Sequence, residues 1–402
     1  MFYSMKNRLM GQVASIYTPI KNIRLLSQKA LVGSWLNFFD HIETALYLAL
    51  GPLFIFDQHE YSNLWILGLL SSGLGKLLFS FIWSILFRYL GLRPILIYSW
   101  LGLALSSLSF GLYGLWIGPH GLSILVVMML RFSQSLCSSA QMSSCRAWIF
   151  TDLKRESAQA LQTSAFFGFS TPLGMMSGLG IVFMISFYYP LSLIWPWIYI
   201  TISMIALGIS YNLWKYITSD PISHFKAHWP KLREIAICSL ISSFGHCTYY
   251  WACVFLPLQA CPQNPLGIQI KALAYDSLLM IPLGLLSTVF GSSQSVRLST
   301  IGCLIFLLLC SLGYIDTYSL RWAILILGVL CTCAHGAWLK NHLQKASFFP
   351  SSLIGSGLGS LIGSASFYWA QQVGQSNLLA ASAPFALIGA LLAGYNEISK
   401  TR

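Results

Sequence analysis

The sequence predicts an all-α membrane protein: twelve spanning helices in two six-helix halves. Three observations carry this. Of 402 residues, 56% are hydrophobic and only 8% are charged, whereas a soluble chain carries about 25% Asp, Glu, Lys and Arg. So few charges do not cover a water-facing surface of this size, which excludes a soluble multidomain enzyme, a disordered chain and a nucleic-acid binder. The apolar stretches are continuous rather than alternating with period two, which excludes an outer-membrane barrel. Finally, the basic residues fall in alternate connections, as the positive-inside rule requires.

A spanning helix needs about 20 apolar residues. In the first half the runs cover 31–55, 64–86, 94–114, 121–145, 160–187 and 190–213. In the second they cover 235–258, 271–291, 298–315, 319–339, 350–371 and 377–395. The longest polar interval, 214–234, carries Lys215, Asp220, Lys226, Lys231 and Arg233 and separates the halves. The domains are therefore an N-terminal arm (1–30), a six-helix bundle (31–213), the central loop (214–234), a second bundle (235–395) and a tail (396–402). Connections on the far side, such as 56–63, are too short for an outer domain.

Basic residues orient this plan. The arm holds Lys6, Arg8, Lys21, Arg24 and Lys29, and alternate connections hold Arg88, Arg93, Arg146, Lys154, Arg155, Arg297, Lys340 and Lys345. Only Lys271 and Arg321 fall at the opposite side, while Lys76 and Arg131 lie within spans. Both termini are thus expected in the cytoplasm. The net charge of +12 reports topology rather than an acidic ligand. The ten cysteines are scattered along spans, where Cys acts as a small apolar residue. No set of four converging ligands marks a metal site; Cys331, Cys333 and His335 are scattered around a helix. Gly355, Gly359 and Gly363, and likewise Gly174 and Gly178, have the small-xxx-small spacing of close helix packing.

Ionisable groups inside spans are costly, about 2.5–3.5 kcal/mol each on insertion scales, and mark function by default. The first span has Asp40 and Glu43 at i, i+3 on one face, with Asn37 a turn earlier and His41 about 100° away. The second has Lys76 in a line with Gly68, Ser72, Ser80 and Ser84. The fourth has Arg131, Gln134, Ser138 and Gln141 along one face. These residues predict a polar cavity; the competing expectation is that the acids pair with Lys76 or Arg131 and lock helices together. Gly68–Lys76 is similar to a phosphate-binding loop, but the Lys is two places late and no Ser or Thr follows. No catalytic triad, paired-carboxylate or metalloprotease arrangement is present, and no nucleotide site, so an enzyme is not expected and any transport would be gradient-driven.

The chain resembles the metabolite:proton symporters, the major-facilitator group that includes proline/betaine, citrate and 2-oxoglutarate transporters. Gly33-Ser-Trp-Leu-Asn37-Phe38-Phe39-Asp40 is similar to that family's GNxxEWFD opening, and Lys76 falls where it has the Arg of RPxGG. Arg131-Phe-Ser-Gln134 resembles its RxxQGxSxGGE, and Trp195-Pro-Trp197 its WGWR. Asp220-Pro221 is similar to its ETPxF. Tyr249-Tyr250 with Phe255-Leu256-Pro257 resembles its YYxxxxYxP, and Phe349-Pro350 its FPT. The chain departs from the family at Gln141, which replaces the Glu of GGE, at Asn37, which replaces the Glu of EWFD, and at Phe87–Arg93, where the loop signature has lost its acid.

The resemblance implies a secondary transporter of the bacterial inner membrane, a proton symporter for a small carboxylate-bearing metabolite or osmolyte. Arg131 and Lys76, with Gln134, Gln141 and Tyr249, are expected to bind the solute. Asp40, Glu43 and His41 are expected to carry the coupling proton. No cofactor or metal is expected, and the partners are the solute, protons and the bilayer, with a monomer as the assembly. Two alternatives stay open: an exporter or exchanger of the same fold, and a non-transporting sensor or scaffold.

Overall fold

The computed structural model describes residues 28–50, 65–117, 123–150, 158–217, 230–256, 275, 278–279, 283, 292–342, 348–373 and 377–398. Six helices come from the first half: α1 (Gln28–Leu50), α2 (Trp65–Leu90), α3 (Leu92–Ile117), α4 (Ile124–Phe150), α5 (Ala158–Ser186) and α6 (Leu191–Tyr216). Five come from the second: α7 (Leu232–Tyr250), α8 (Ser292–Ser311), α9 (Thr317–His342), α10 (Phe348–Val373) and α11 (Leu378–Ile398). A π-helical turn over Trp251–Phe255 extends α7. The eighth expected span, 271–291, lies outside the described residues except Tyr275, Leu278, Leu279 and Leu283, which are helical. Residues 1–27 of the N-terminal arm, residues 399–402 of the tail and Asp220 also lie outside them.

Apolar length dictates these helices: in a bilayer each backbone polar group must be satisfied within its own segment. Segments 66–87, 92–117, 166–186 and 193–216 are long and apolar enough to cross a membrane on composition alone. Termination is local. At the α2–α3 corner Gly91 takes φ 76°, and its N–H donates to the Phe87 carbonyl at 3.1 Å, a left-handed cap open to Gly because it lacks a Cβ. Between α8 and α9, Gly313 takes φ 78°. There the N–H groups of Gly313 and Tyr314 close on Cys310 and Leu309, the reciprocal pair of a Schellman turn.

Helix contacts repeat between the halves. In the first, α1 packs on α5 and α4, and α3 packs on α6 and α4. In the second, α7 packs on α10 and α9, and α8 packs on α11 and α9. With the missing eighth span counted, α7 to α11 occupy the places of α1, α3, α4, α5 and α6, which is an internal two-fold repeat. Glycine makes the equivalent pairs close: a Cβ on Gly178 would fall 2.8 Å from the Ile42 carbonyl, and one on Gly359 would fall 2.9 Å from that of Ser239.

The halves meet along α2 and α10. Gly357 lies against the Lys76 carbonyl and Leu77, and Gly73 against the backbone of Ser360 and Leu361. Toward the helix ends that carry the basic connections, Phe87 and Phe349 stack with centroids 4.3 Å apart. Contacts of α5 with α9 and of α4 with α10 add to the junction.

Candidate binding site

Between the halves lies a cavity of about 300 Å³, room for about ten waters. The first half contributes Asp40, His41 and Thr44 from α1, Lys76 from α2, Ser138–Arg146 positions from α4, and Thr171 from α5. Across from them stand Ser242, His246, Thr248, Tyr249 and Tyr250 of α7, Gly328 of α9, and Ser352, Ser356 and Ser360 of α10. Charges come from one side: Asp40, Lys76 and Arg146 belong to the first half, and the second half offers hydroxyls, rings and His246.

Among the described residues, the side chains of Lys76 and Arg146 make neither a hydrogen bond nor an ion pair. Arg146 lies 5.5 Å from the Phe167 ring centroid. Asp40 Oδ2 is 4.0 Å from His41 Nδ1, but that nitrogen is engaged by the Asn37 carbonyl at 2.8 Å. Three unpaired charges around one low-dielectric space are expensive unless something enters it to satisfy them.

The expected site residues divide into two groups. Asp40, His41, Lys76 and Tyr249 line the cavity. Glu43, Arg131, Gln134 and Gln141 do not: they lie inside the first bundle, with exposures of 4%, 5%, 3% and 1%. Arg131 Nη1 donates to Glu43 Oε1 at 2.6 Å and to Gln134 Oε1 at 2.5 Å. Gln134 Nε2 donates to the same Glu43 oxygen at 2.7 Å and to Ser107 Oγ at 3.3 Å. The guanidinium stands 3.9 Å over the Tyr47 ring. This network joins α1, α3 and α4, which is the helix-locking alternative.

Helical geometry explains the split. With about 100° per residue, Asp40, Thr44 and His41 span an arc of about 100° on α1. Glu43 lies about 60° outside that arc, toward α4. The i, i+3 spacing that placed Asp40 and Glu43 on one face therefore spans the border between cavity and bundle. Asn37 turns to α5, donating to the Phe167 carbonyl at 2.8 Å and to Ser170 Oγ at 2.6 Å. Gln141 Nε2 reaches the Ser99 carbonyl at 3.4 Å.

Two ionisable cavity residues, Arg146 and His246, were not among the expected site residues. Arg146 reads as a loop residue on charge patterning, yet α4 runs to Phe150 and carries it inward. His246 was visible only as an isolated imidazole in the seventh span. His246 lies on α7, which takes in the second half the place of α1, the helix of His41. Among the described residues no three His, Cys, Asp or Glu converge as metal ligands would.

No sequence family matches the chain, and no curated protein sequence matches it. Solved structures do. The human organic anion transporter MFSD10 (TETRAN) aligns with TM-score 0.64 at 14% identity over 92% of this chain and 99% of that one. The major facilitator superfamily transporter FucP, in its outward conformation, aligns with TM-score 0.64 at 12% identity over 93% and 99%. A partially occluded inward-open form of the xylose transporter XylE from E. coli aligns with TM-score 0.66 at 12% identity over 93% and 97%. The chain thus has the all-α, two-half fold of major facilitator transporters, and these helices are those of a multi-pass membrane protein.

Proposed function

We propose that the protein is a secondary active transporter that moves a small carboxylate-bearing metabolite or osmolyte, coupled to protons, by alternating access. One observation carries the reading: the cavity between the halves holds Lys76 and Arg146 without an ion-pair partner among the described residues, beside Asp40. An anion between two unpaired cations gains ionic hydrogen bonds strengthened by the low dielectric. Lys76 and Arg146 are therefore the solute-binding cations, with Tyr249 on the opposite wall. Arg131, Gln134 and Glu43 act as the frame that holds α1 against α4, and Gln141 ties α4 to α3. Asp40 takes the coupling proton: with the proton bound, the cavity's excess positive charge is larger and favours the anion, so the two ligands favour each other.

Rocking of the halves about the α2–α10 seam would expose the site to each side in turn, the mechanism that suits a midplane site between repeats. The central loop 214–234 joins the halves in sequence, and the charge asymmetry of the connections assigns both termini to the cytoplasm of a bacterial cell in this reading. The fold neighbours support the transporter reading, since one is an organic anion transporter and another a xylose transporter.

The test is uptake into proteoliposomes of proline, glycine betaine, 2-oxoglutarate and citrate, with and without an inward proton gradient. Gradient-driven accumulation of one compound supports the reading. Gradient-independent exchange would make the protein an exchanger. Binding with no crossing would make it a sensor.

A further inference from the structure

The wall of the cavity is rich in acceptors, and two of them come from equivalent helices of the two halves. On α1, His41 Nδ1 lies 2.8 Å from the carbonyl of Asn37, four residues earlier. On α7, His246 Nδ1 lies 2.8 Å from the carbonyl of Ser242, also four residues earlier. Each imidazole stands where its helix meets a glycine of the partner helix: a Cβ on Gly174 of α5 would lie 3.1 Å from His41 Cβ, and one on Gly363 of α10 would strike His246 Cβ. The α1–α5 and α7–α10 pairs are equivalent, and each presents one such imidazole to the cavity.

The geometry fixes their chemistry. A carbonyl oxygen only accepts, so Nδ1 carries the hydrogen in both rings, and in the neutral imidazole Nε2 is left as an acceptor. Tying the Nδ1 edge to the helix turns the other edge outward, and both residues line the cavity. Neither Nε2 has a hydrogen-bond partner among the described residues. Lys76 and Arg146 already face the single carboxylate of Asp40, so the neutral ring is the form that adds no repulsion. Three neighbouring hydroxyls are acceptors too, because their protons are spent on their own helices: Thr44 on the Asp40 carbonyl at 3.4 Å, Ser139 on Leu136 at 3.1 Å, and Thr248 on Gly245 at 2.9 Å.

We infer that His41 and His246, one from each half, read a hydrogen-bond donor on the solute, so that the solute is a carboxylate whose body carries hydroxyl or N–H groups. This rests on the reading of the cavity as an anion site and narrows it. A plain dicarboxylate or a quaternary ammonium betaine has no donor to offer. It would leave both Nε2 atoms unpaired in a closed space, the situation by which polar sites reject analogues lacking a hydrogen-bonding group.

The experiment compares matched solutes on the purified full-length protein, with apparent Kd read from ligand-induced thermal stabilisation. The pairs are L-malate against succinate, and L-proline against N,N-dimethyl-L-proline; each differs in the donor and keeps the carboxylate. The expected result is about tenfold or more tighter binding of the donor-bearing member of one pair. His246→Phe should shrink that preference to about threefold or less, and His246→Gln, which restores an acceptor oxygen, should recover part of it. Equal binding of both members by the unaltered protein would overturn the inference while leaving the anion site standing. Binding by none of the four would overturn both. A preference unchanged in His246→Phe and in His41→Phe would assign the selection to other groups and overturn the role of the imidazoles.

Discussion

Arg131 of α4 and Glu43 of α1 form a buried ion pair, Nη1 to Oε1 2.6 Å, outside the lining of the cavity between the halves. Their burial decides their role. Each is about 5% exposed, and Gln134 satisfies further lone pairs and protons of the pair. Removing one partner strands a charge in the bundle, which costs about 3–5 kcal/mol, whereas removing both together is often tolerated.

Arg131→Met and Glu43→Gln should therefore each lower thermal stability sharply in detergent. The double variant should lose less than the sum of the two, with a coupling of about 1–3 kcal/mol. Additive losses in a double-mutant cycle would show that the pair does not act as a lock. Loss of uptake in Arg131→Met with stability unchanged would return Arg131 to the solute site.

Lys76→Met and Arg146→Met should behave oppositely. Neither cation has an ion-pair partner to strand among the described residues, so folding should survive. Uptake should fall by about tenfold or more through weaker solute binding, since a charge-assisted hydrogen bond contributes about 1.5–3 kcal/mol. Initial-rate uptake across solute concentrations checks this, and an unchanged half-saturation concentration in both variants would remove them from the site.

Asp40→Asn should keep the fold and the cavity shape while abolishing the gain that an inward proton gradient gives to uptake. Counterflow of solute without a gradient should persist, because the cations that hold the anion are untouched. Proton-dependent accumulation that survives in Asp40→Asn would exclude Asp40 as the carrier.

The fold was legible because the bilayer constrains it so strongly: every described span falls within a few residues of its expected run. What blurred was direction. Spacing of three residues placed Asp40 and Glu43 together, but a spanning helix is surrounded on all sides, and 60° separates a cavity wall from a bundle core. Arg131 is conspicuous in sequence because a buried cation is rare, and rarity does not distinguish a lock from a ligand site. Arg146 was hidden for the opposite reason: a cation near a helix end satisfies the charge-asymmetry rule equally well facing water or a cavity. His246 gains meaning only beside His41, a pairing that needs the helix contacts of both halves.

The loop between α8 and α9 offers a pH test outside the membrane. Asp316 precedes α9, and its Oδ1 accepts the Ser319 N–H at 3.0 Å, an N-cap. Hydrogen bonds from Ser319 hold the carboxyl below its ordinary 3.8. A lowered folded-state value means that the cap's contribution is complete above that ordinary value and is lost as pH falls through the lowered one. Amide exchange at the start of α9 should accelerate on acidification and in Asp316→Ala at neutral pH, and the variant should show no further acid response there.

The seam between the halves gives the last expectation. A Cβ on Gly357 would lie 2.7 Å from the Lys76 carbonyl and 2.9 Å from Ser80 Oγ. The carbonyl belongs to helical backbone and cannot step aside, so Gly357→Ala must push α10 away from α2. Gly180 and Gly208 have nothing within 4 Å of the corresponding position, and alanine there meets open space. Gly357→Ala should cost about 1–3 kcal/mol of stability, the usual range for overpacking. It should also alter the balance between the two access states, because α2 and α10 are the main contact between the halves. Accessibility of a cysteine placed at Ser352, on the cavity wall, to a membrane-impermeant thiol reagent added from either side of sealed vesicles reads that balance. The native cysteines are first replaced, so that the placed thiol alone reports. Gly357→Ala should shift its labelling relative to the parent while Gly180→Ala and Gly208→Ala leave it unchanged. Equal labelling in all of them would mean that the seam does not set the access state.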